Sequence, residues 1–189
     1  MKPAFMKRGL LFFLICGLPL AAAESTVELD PAHTTISFTL GDVLHTVHGS
    51  FKLKRGCLKF DPTTGKASGE IVVDVASGDS GNSGRDKRMH KEILESTRYP
   101  EAIFTPDHVS GELAPRGESQ VDVHGGFQIH GASHEMTLHF RAEVKDGEVA
   151  TSTGFVIPYL QWGMKNPSNF WLKVKDKVEM NIQATGRLQ

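Results

Sequence analysis

The chain has 189 residues, with 21 lysines and arginines against 22 aspartates and glutamates, and 39% of its residues are hydrophobic. That is enough chain for one domain with a real core, and the charge is too even for a nucleic-acid binder. No linker-like or low-complexity stretch divides it.

The first residues read as an export signal. Basic Lys2, Lys7 and Arg8 precede an apolar run over residues 10–20, and Ala21-Ala22-Ala23 stands before Glu24, in the order of charged region, apolar region and cleavage site. The run is about half of the roughly 20 residues that a spanning helix needs. Cys16 follows Phe13-Leu14-Ile15, without the small residue that precedes a lipidated cysteine, so no lipid anchor is expected there. Cleavage after Ala23 leaves residues 24–189 as a single exported domain. It removes three basic residues and no acidic ones, so 18 basic residues face 22 acidic ones, a net charge of about −4. On that balance nucleic acid and anionic membrane surfaces are poor partners, and stable membrane insertion is not expected. Cys57 is the one cysteine left, so no intramolecular disulfide can form. It reads as a small residue on the strand face opposite Leu58 and Phe60.

From residue 26 onward most segments alternate with the period of a half-buried strand, separated by turn residues. Ile36, Phe38 and Leu40 share one face, and Val47, Gly49, Phe51 and Leu53 share the next; Ile71, Val73 and Val75 repeat the pattern. It resumes with Val121 and Val123, Phe127 and Ile129, then Met136, Leu138, Phe140, Ala142 and Val144. Phe155 and Ile157, Leu172 and Val174, and Val178, Met180 and Ile182 complete it. Asp61-Pro62-Thr63-Thr64-Gly65, His130-Gly131-Ala132-Ser133 and Lys145-Asp146-Gly147 supply turns.

One segment departs from this period. Ser83-Gly84-Arg85-Asp86 has the form of a helix N-cap, Met89, Ile93 and Leu94 recur at helical spacing, and Tyr99-Pro100 ends the helix. The class is therefore all-β and antiparallel, with one short helix in the middle of the chain. Antiparallel strands with one apolar face either close into a barrel or stack as a sandwich, and composition alone leaves both open. About eight strands in a barrel leave room for one small ligand.

Several motifs suggest chemistry without the context it needs. Gly78-Asp79-Ser80-Gly81 has the look of a nucleophile segment and His124-Gly125-Gly126 that of an oxyanion strip, but the strip follows the serine and Asn82 replaces the second glycine of an elbow. No catalytic residue is assigned. His45 with His48, and His130 with His134, could be metal-ligand pairs, with His124 or His139 as a third ligand to the second pair. Residues three apart on a strand face opposite ways, so the first pair converges only at a bend. Solvated strand and turn histidines are the expected reading, with no metal. A metal-dependent or stress-related protein using the His130/His134 turn is the alternative.

Taken in order, a set of blocks resembles the YceI-like family across residues 26–187. They are Leu29-Asp30-Pro31-Ala32-His33-Thr34, Val47-His48-Gly49-Ser50-Phe51, Leu58-Lys59-Phe60-Asp61-Pro62 and Ile71-Val72-Val73-Asp74. The most specific is Asn82-Ser83-Gly84-Arg85-Asp86-Lys87-Arg88-Met89-His90 with Tyr99-Pro100-Glu101-Ala102-Ile103-Phe104-Thr105, and Gly126-Phe127-Gln128-Ile129-His130-Gly131-Ala132-Ser133 follows. The chain departs from the family at Gly41-Asp42-Val43-Leu44, where many members carry an arginine-histidine pair, and over residues 162–171, which are longer and more aromatic than in other members. The resemblance implies an extended, lipocalin-like antiparallel barrel with a helix against one opening, exported to the periplasm and binding an isoprenoid or isoprenoid-quinone lipid. It implies no catalysis and no cofactor apart from that ligand. The expected partners are the lipid and, at most, a second copy of the chain. The ligand-lining residues expected from the inward faces are Phe38, Phe51, Val73, Phe104, Phe127, Ile129, Leu138, Phe140, Phe155 and Ile157. Met89, Ile93 and Leu94 are expected on a lid helix, with Trp162, Phe170 and Trp171 as an aromatic rim at the same end. A tail would enter through an open end of the barrel.

Overall fold

The computed structural model describes residues 24–41, 46–168 and 173–189. The expected signal over residues 1–23, together with His45, Phe170, Trp171 and Leu172, lies outside the described residues. Eight antiparallel strands run in chain order: β1 (Ser25–Gly41), β2 (Thr46–Phe60), β3 (Ala67–Asp79), β4 (Glu101–Ser110), β5 (Gly117–Ile129), β6 (Ala132–Lys145), β7 (Glu148–Ile157) and β8 (Val178–Leu188). Each pairs with the next and β8 pairs with β1, so the sheet closes into a barrel, and the sandwich alternative falls away.

The closed ladder forces side chains alternately inward and outward, and three strands shift phase to keep apolar residues inward. In β1, Val27 and Leu29 face in on odd numbers; after an irregularity between Leu29 and Thr34, Ile36, Phe38 and Leu40 face in on even ones. In β2 the change falls between Leu53 and Arg55, and in β4 between Pro106 and His108. A β-bulge adds one unpaired residue and so reverses the phase. The same shift leaves Cys57 facing away from Leu58 and Phe60, as the alternation suggests. His130 and Gly131 both have positive φ, 51° and 79°, the geometry of a two-residue hairpin turn matched to strand twist.

Two glycines admit close approach of neighbouring chain. A side chain at Gly49 would strike the Phe38 ring across the ladder, and one at Gly125 would strike the Thr105 carbonyl oxygen on β4. The His124-Gly125-Gly126 strip therefore owes its first glycine to strand packing.

The helical segment differs from its sequence expectation in both cap and length. Asn82, one residue earlier than expected, caps α1 (Ser83–Arg88), its side chain accepting from the Arg85 N–H at 3.0 Å. A five-residue π-turn over Met89–Ile93 follows, closed by the Leu94 N–H donating to the Met89 carbonyl at 2.9 Å. The helix ends there, well before Tyr99-Pro100, and Glu95 takes φ 45°. Asp86 is drawn away from capping by Ser80, which donates to it from both its hydroxyl and its backbone N–H. Val174 forms no strand; it sits in the long β7–β8 connection.

Because backbone rather than a flexible side chain blocks Gly125, Gly125→Ala is expected to cost about 1–3 kcal/mol, the usual range for overpacking. Urea denaturation of the purified protein measures it.

Candidate functional site

Strands of 10–17 residues at about 3.3 Å per residue and a tilt near 40° make a barrel on the order of 30 Å tall. Its interior is a cavity of about 380 Å³, within the 300–1,000 Å³ usual for small-molecule sites. Of 41 lining residues only Thr34, Ser80, Arg85, Arg88, Thr151 and Tyr159 carry polar side chains. Phe60, Ala67, Val109 and Val144 are buried at one end without lining the cavity, so that end is packed. The opposite end carries the helix, the His130–Gly131 turn and the connection over residues 158–177.

At this mouth two ladders come apart. β3 and β4 share register only from Ile71↔Phe104 to Asp74↔Glu101, while β3 continues to Asp79. β6 and β7 share register only from Lys145↔Glu148 to Phe140↔Thr153, leaving residues 132–139 of β6 without a β7 partner. The sequence expectation that passage is confined to the open end is thus widened to include these two splits.

The helix bridges the first split. Its polar side is clamped to the end of β3: Arg85 donates from Nε to the Ser80 hydroxyl at 2.7 Å and from a terminal nitrogen to the Ser80 carbonyl at 2.6 Å, and His90 Nε2 donates to the Gly78 carbonyl at 2.8 Å. The Ser80 hydroxyl also holds the Asp86 carboxyl below its ordinary range. Ser80, the serine of the nucleophile-like segment, is buried with Arg85 and Asp86 as its side-chain partners. The apolar side presents Met89, Ile93 and Leu94 to the cavity. None of the helical residues is fully buried.

The second split is occupied by the β7–β8 connection. Trp162 lies flat against His134 of β6, ring centroids 3.9 Å apart and planes 7° apart, and meets Phe127 at 6.0 Å. Phe127 in turn meets Phe155 edge-on at 6.3 Å. The Tyr159 hydroxyl donates to the Lys175 carbonyl at 2.7 Å, and the Lys175 N–H donates to the Gly41 carbonyl at 2.9 Å, which ties the connection across to β1. Burial pushes the Tyr159 phenol pKa up.

Phe38, Phe51, Val73, Met89, Ile93, Leu94, Phe104, Phe127, Ile129, Leu138, Phe140, Phe155 and Ile157 all line the cavity. Trp162 sits behind this wall, packed on the core at the same end; Trp171 is outside the described residues. Leu40, Met180 and Ile182, members of the alternating faces in the sequence, line the cavity as well. Arg85, Arg88, Tyr159 and Met164 reach the cavity through connections whose path no periodicity reveals.

The histidines correct one expectation. His130 and His134 are not solvated turn residues: His130 is 17% exposed at its side chain and lies against Tyr99 at 4.7 Å, and the Nε2 atoms of both are buried without a hydrogen-bond partner. His134 shares the inward face of its register partner Phe127, whereas His124 and His139 face outward with Thr137 and Asp122. Neither outward histidine can join the His130/His134 pair. Among the described residues the ligating atoms that do cluster are those of Asp107, His124 and Glu135 on the outer wall, within 4.8 Å of one another.

The fold and its apolar interior define a lipocalin-like barrel container. The chain belongs to the YceI-like family, whose domain model matches residues 28–186. It is 26% identical to a UPF0312 protein of Vibrio parahaemolyticus over 73% of this chain and 72% of that protein, and 28% identical to a UPF0312 protein of Pseudomonas syringae pv. tomato over 77% and 79%. Among solved structures it resembles BcnA of Burkholderia cenocepacia (TM-score 0.66, 18% identity, 83% of this chain and 98% of that one). It also resembles a polyisoprenoid-binding domain of Saccharophagus degradans (TM-score 0.65, 15% identity, 85% and 97%). Both likenesses concern the fold.

His124 supplies a pH test of the outer wall. Its Nδ1 shares a hydrogen bond of 2.7 Å with Asp107 Oδ1, and that bond raises its pKa above 6.5, with Glu135 adding to the effect. A raised histidine pKa contributes stability that is complete below 6.5 and is lost as the pH climbs through the raised value. Histidine NMR titration is expected to place His124 above 6.5, and Asp107→Asn is expected to bring it back down.

Proposed function

We propose that the protein is exported to the periplasm and holds one long apolar lipid, of the polyisoprenoid or isoprenoid-quinone class, as a carrier or scavenger without catalysis. The observation that supports this most is the cavity: lined by 35 apolar residues of 41, packed at one end, and lined toward the other by the helix and the β7–β8 connection. An unbranched or repeating hydrocarbon fits such a space, since each buried methylene contributes about 0.8 kcal/mol. About fifteen would supply on the order of 12 kcal/mol, against an association cost of about 4–15 kcal/mol. Long tails should bind and short ones should not. The polyisoprenoid-binding description of the Saccharophagus degradans domain agrees in ligand class, and among the described residues no helix is long and apolar enough to cross a membrane.

The decisive experiment is native mass spectrometry of protein recovered from the periplasm. The expected spectrum shows a chain beginning at Glu24 with a hydrophobic adduct that organic solvent removes. Leu138, 5% exposed and on the cavity wall, tests the site directly. Leu138→Asp would place a carboxylate in an apolar interior and is expected to abolish the adduct. An undiminished adduct in folded Leu138→Asp protein would rule the cavity out as the lipid site.

The half-buried Ile93 tests the helix as a lid. A core isoleucine cut to alanine costs about 2–5 kcal/mol. Ile93→Ala is expected to cost less than about 2 kcal/mol and to speed lipid release, measured by denaturation and by off-rate to acceptor vesicles. A large destabilisation with unchanged release would make the helix ordinary core.

A further inference from the structure

The net charge of residues 24–189 argues against anionic membranes, but the charge is distributed unevenly along the barrel. The described residues of the connections at the mouth, 80–100, 130–131, 158–168 and 173–177, together contain nine lysines and arginines against four aspartates and glutamates. The other residues of 24–189 hold nine basic residues against eighteen acidic. The connections at the packed end, residues 61–66, 111–116 and 146–147, hold two basic against three acidic. A protein of acidic overall balance thus carries, among the described residues, a basic rim at the end that holds the helix.

Three of the four acidic residues described in these connections are already engaged, and the fourth is flanked by lysines. Asp86 is tied to Ser80, Glu92 pairs with Arg88 at 3.2 Å, Glu95 lies 4.0 Å from Arg98, and Asp176 stands between Lys175 and Lys177 in sequence. Lys87, Lys91, Lys165, Lys173, Lys175 and Lys177 are all exposed. None of the six takes part in an ion pair among the described residues. At physiological salt a charge is screened within about 8 Å, whereas the barrel is on the order of 30 Å tall. A surface approaching the mouth therefore meets the basic rim and hardly senses the acidic walls behind it.

We propose that the mouth docks on an anionic phospholipid bilayer, holding the open end of the cavity against the surface from which a lipid is taken up or to which it is delivered. This deepens the lipid-binding function and rests on it. An apolar ligand of this class resides in a membrane, so the side of the protein that exchanges it has to approach charged headgroups. The basic rim surrounds the opening flanked by the Met89–Ile93 lid and the Trp162 plug, and Trp side chains favour the bilayer interface. Net charge misleads at this point because adsorption depends on the charge of the facing side.

The test uses the full mature protein and flotation with vesicles of phosphatidylcholine alone or mixed with phosphatidylglycerol. Each lysine or arginine near an anionic surface strengthens adsorption about fivefold. Binding to the phosphatidylglycerol vesicles is expected to weaken with salt. It is expected to fall on the order of 100-fold in Lys173→Gln/Lys175→Gln/Lys177→Gln, and to be unchanged in the packed-end control Lys66→Gln/Arg116→Gln. Affinity of each variant for a fluorescent long-chain lipid, measured without vesicles, separates the two proposals: the triple variant is expected to keep it. Equal binding to both vesicle types, no binding to either, or equal losses in the two variants would overturn the docking. Loss of lipid affinity in the wild-type protein would instead overturn the cavity's function and leave the vesicle result to stand alone.

Discussion

Everything in this structure depends on the alternation imposed by a closed hydrogen-bonded ladder. With eight strands paired in a ring, each residue faces the interior or the solvent, and a slip of one position reverses every side chain after it. The phase changes in β1, β2 and β4 keep Phe38, Leu58 and Val109 inward where uninterrupted alternation would have turned them out. These irregularities also bend and twist the wall, so the barrel can be long without being flat. An apolar interior is the outcome of register, and a ligand space is what remains where eight inward faces do not meet.

Closure is incomplete toward one end of the barrel. The β3–β4 and β6–β7 ladders both come apart toward the same end, and each split is filled by a connection instead of a strand. The two fillers use different chemistry. The helix is fastened to the end of β3 by charge-assisted hydrogen bonds from Arg85 to Ser80 and presents the flexible Met89 and the branched Ile93 to the cavity. The β7–β8 connection is fastened by the Tyr159 and Lys175 hydrogen bonds and by the stack of Trp162 on His134. In both, polar bonds hold the connection in place while apolar side chains face the barrel interior. The same end gathers exposed lysines that take part in no ion pair among the described residues.

The histidines show how a correct residue type can carry the wrong physical context. His130 and His134 stand four apart across a tight turn, a spacing compatible with shared ligation. The pleat sends His134 to the inner face beside Phe127, while the positive φ of His130 turns it toward Tyr99. His124 forms its cluster with Asp107 and Glu135, residues 17 positions before it and 11 after it. Only the β4–β5–β6 register brings those side chains together.

The sequence by itself determined seven of the eight strands, the turns, the presence of a helix and most of the inward faces, because period-two apolar alternation is a local property that survives whichever strands become neighbours. It carried the resemblance to the YceI-like family as well, since the matching blocks are contiguous local elements: strands, tight turns and, over residues 82–90, the capped helix. Barrel against sandwich, the phase of β1 beyond residue 29, the helix cap at Asn82, the burial of His130 and His134, and the placing of Trp162 against β6 were decided by tertiary structure. Each depends on which distant segment lies alongside: a bulge is defined by the partner strand's count, Asp86 gave up capping because Ser80 is within reach, and Trp162 finds His134 only where β6 and β7 have parted. The basic rim belongs with these, for its lysines lie on connections up to 90 residues apart (Lys87 to Lys177) and share a side of the molecule only once the barrel has closed.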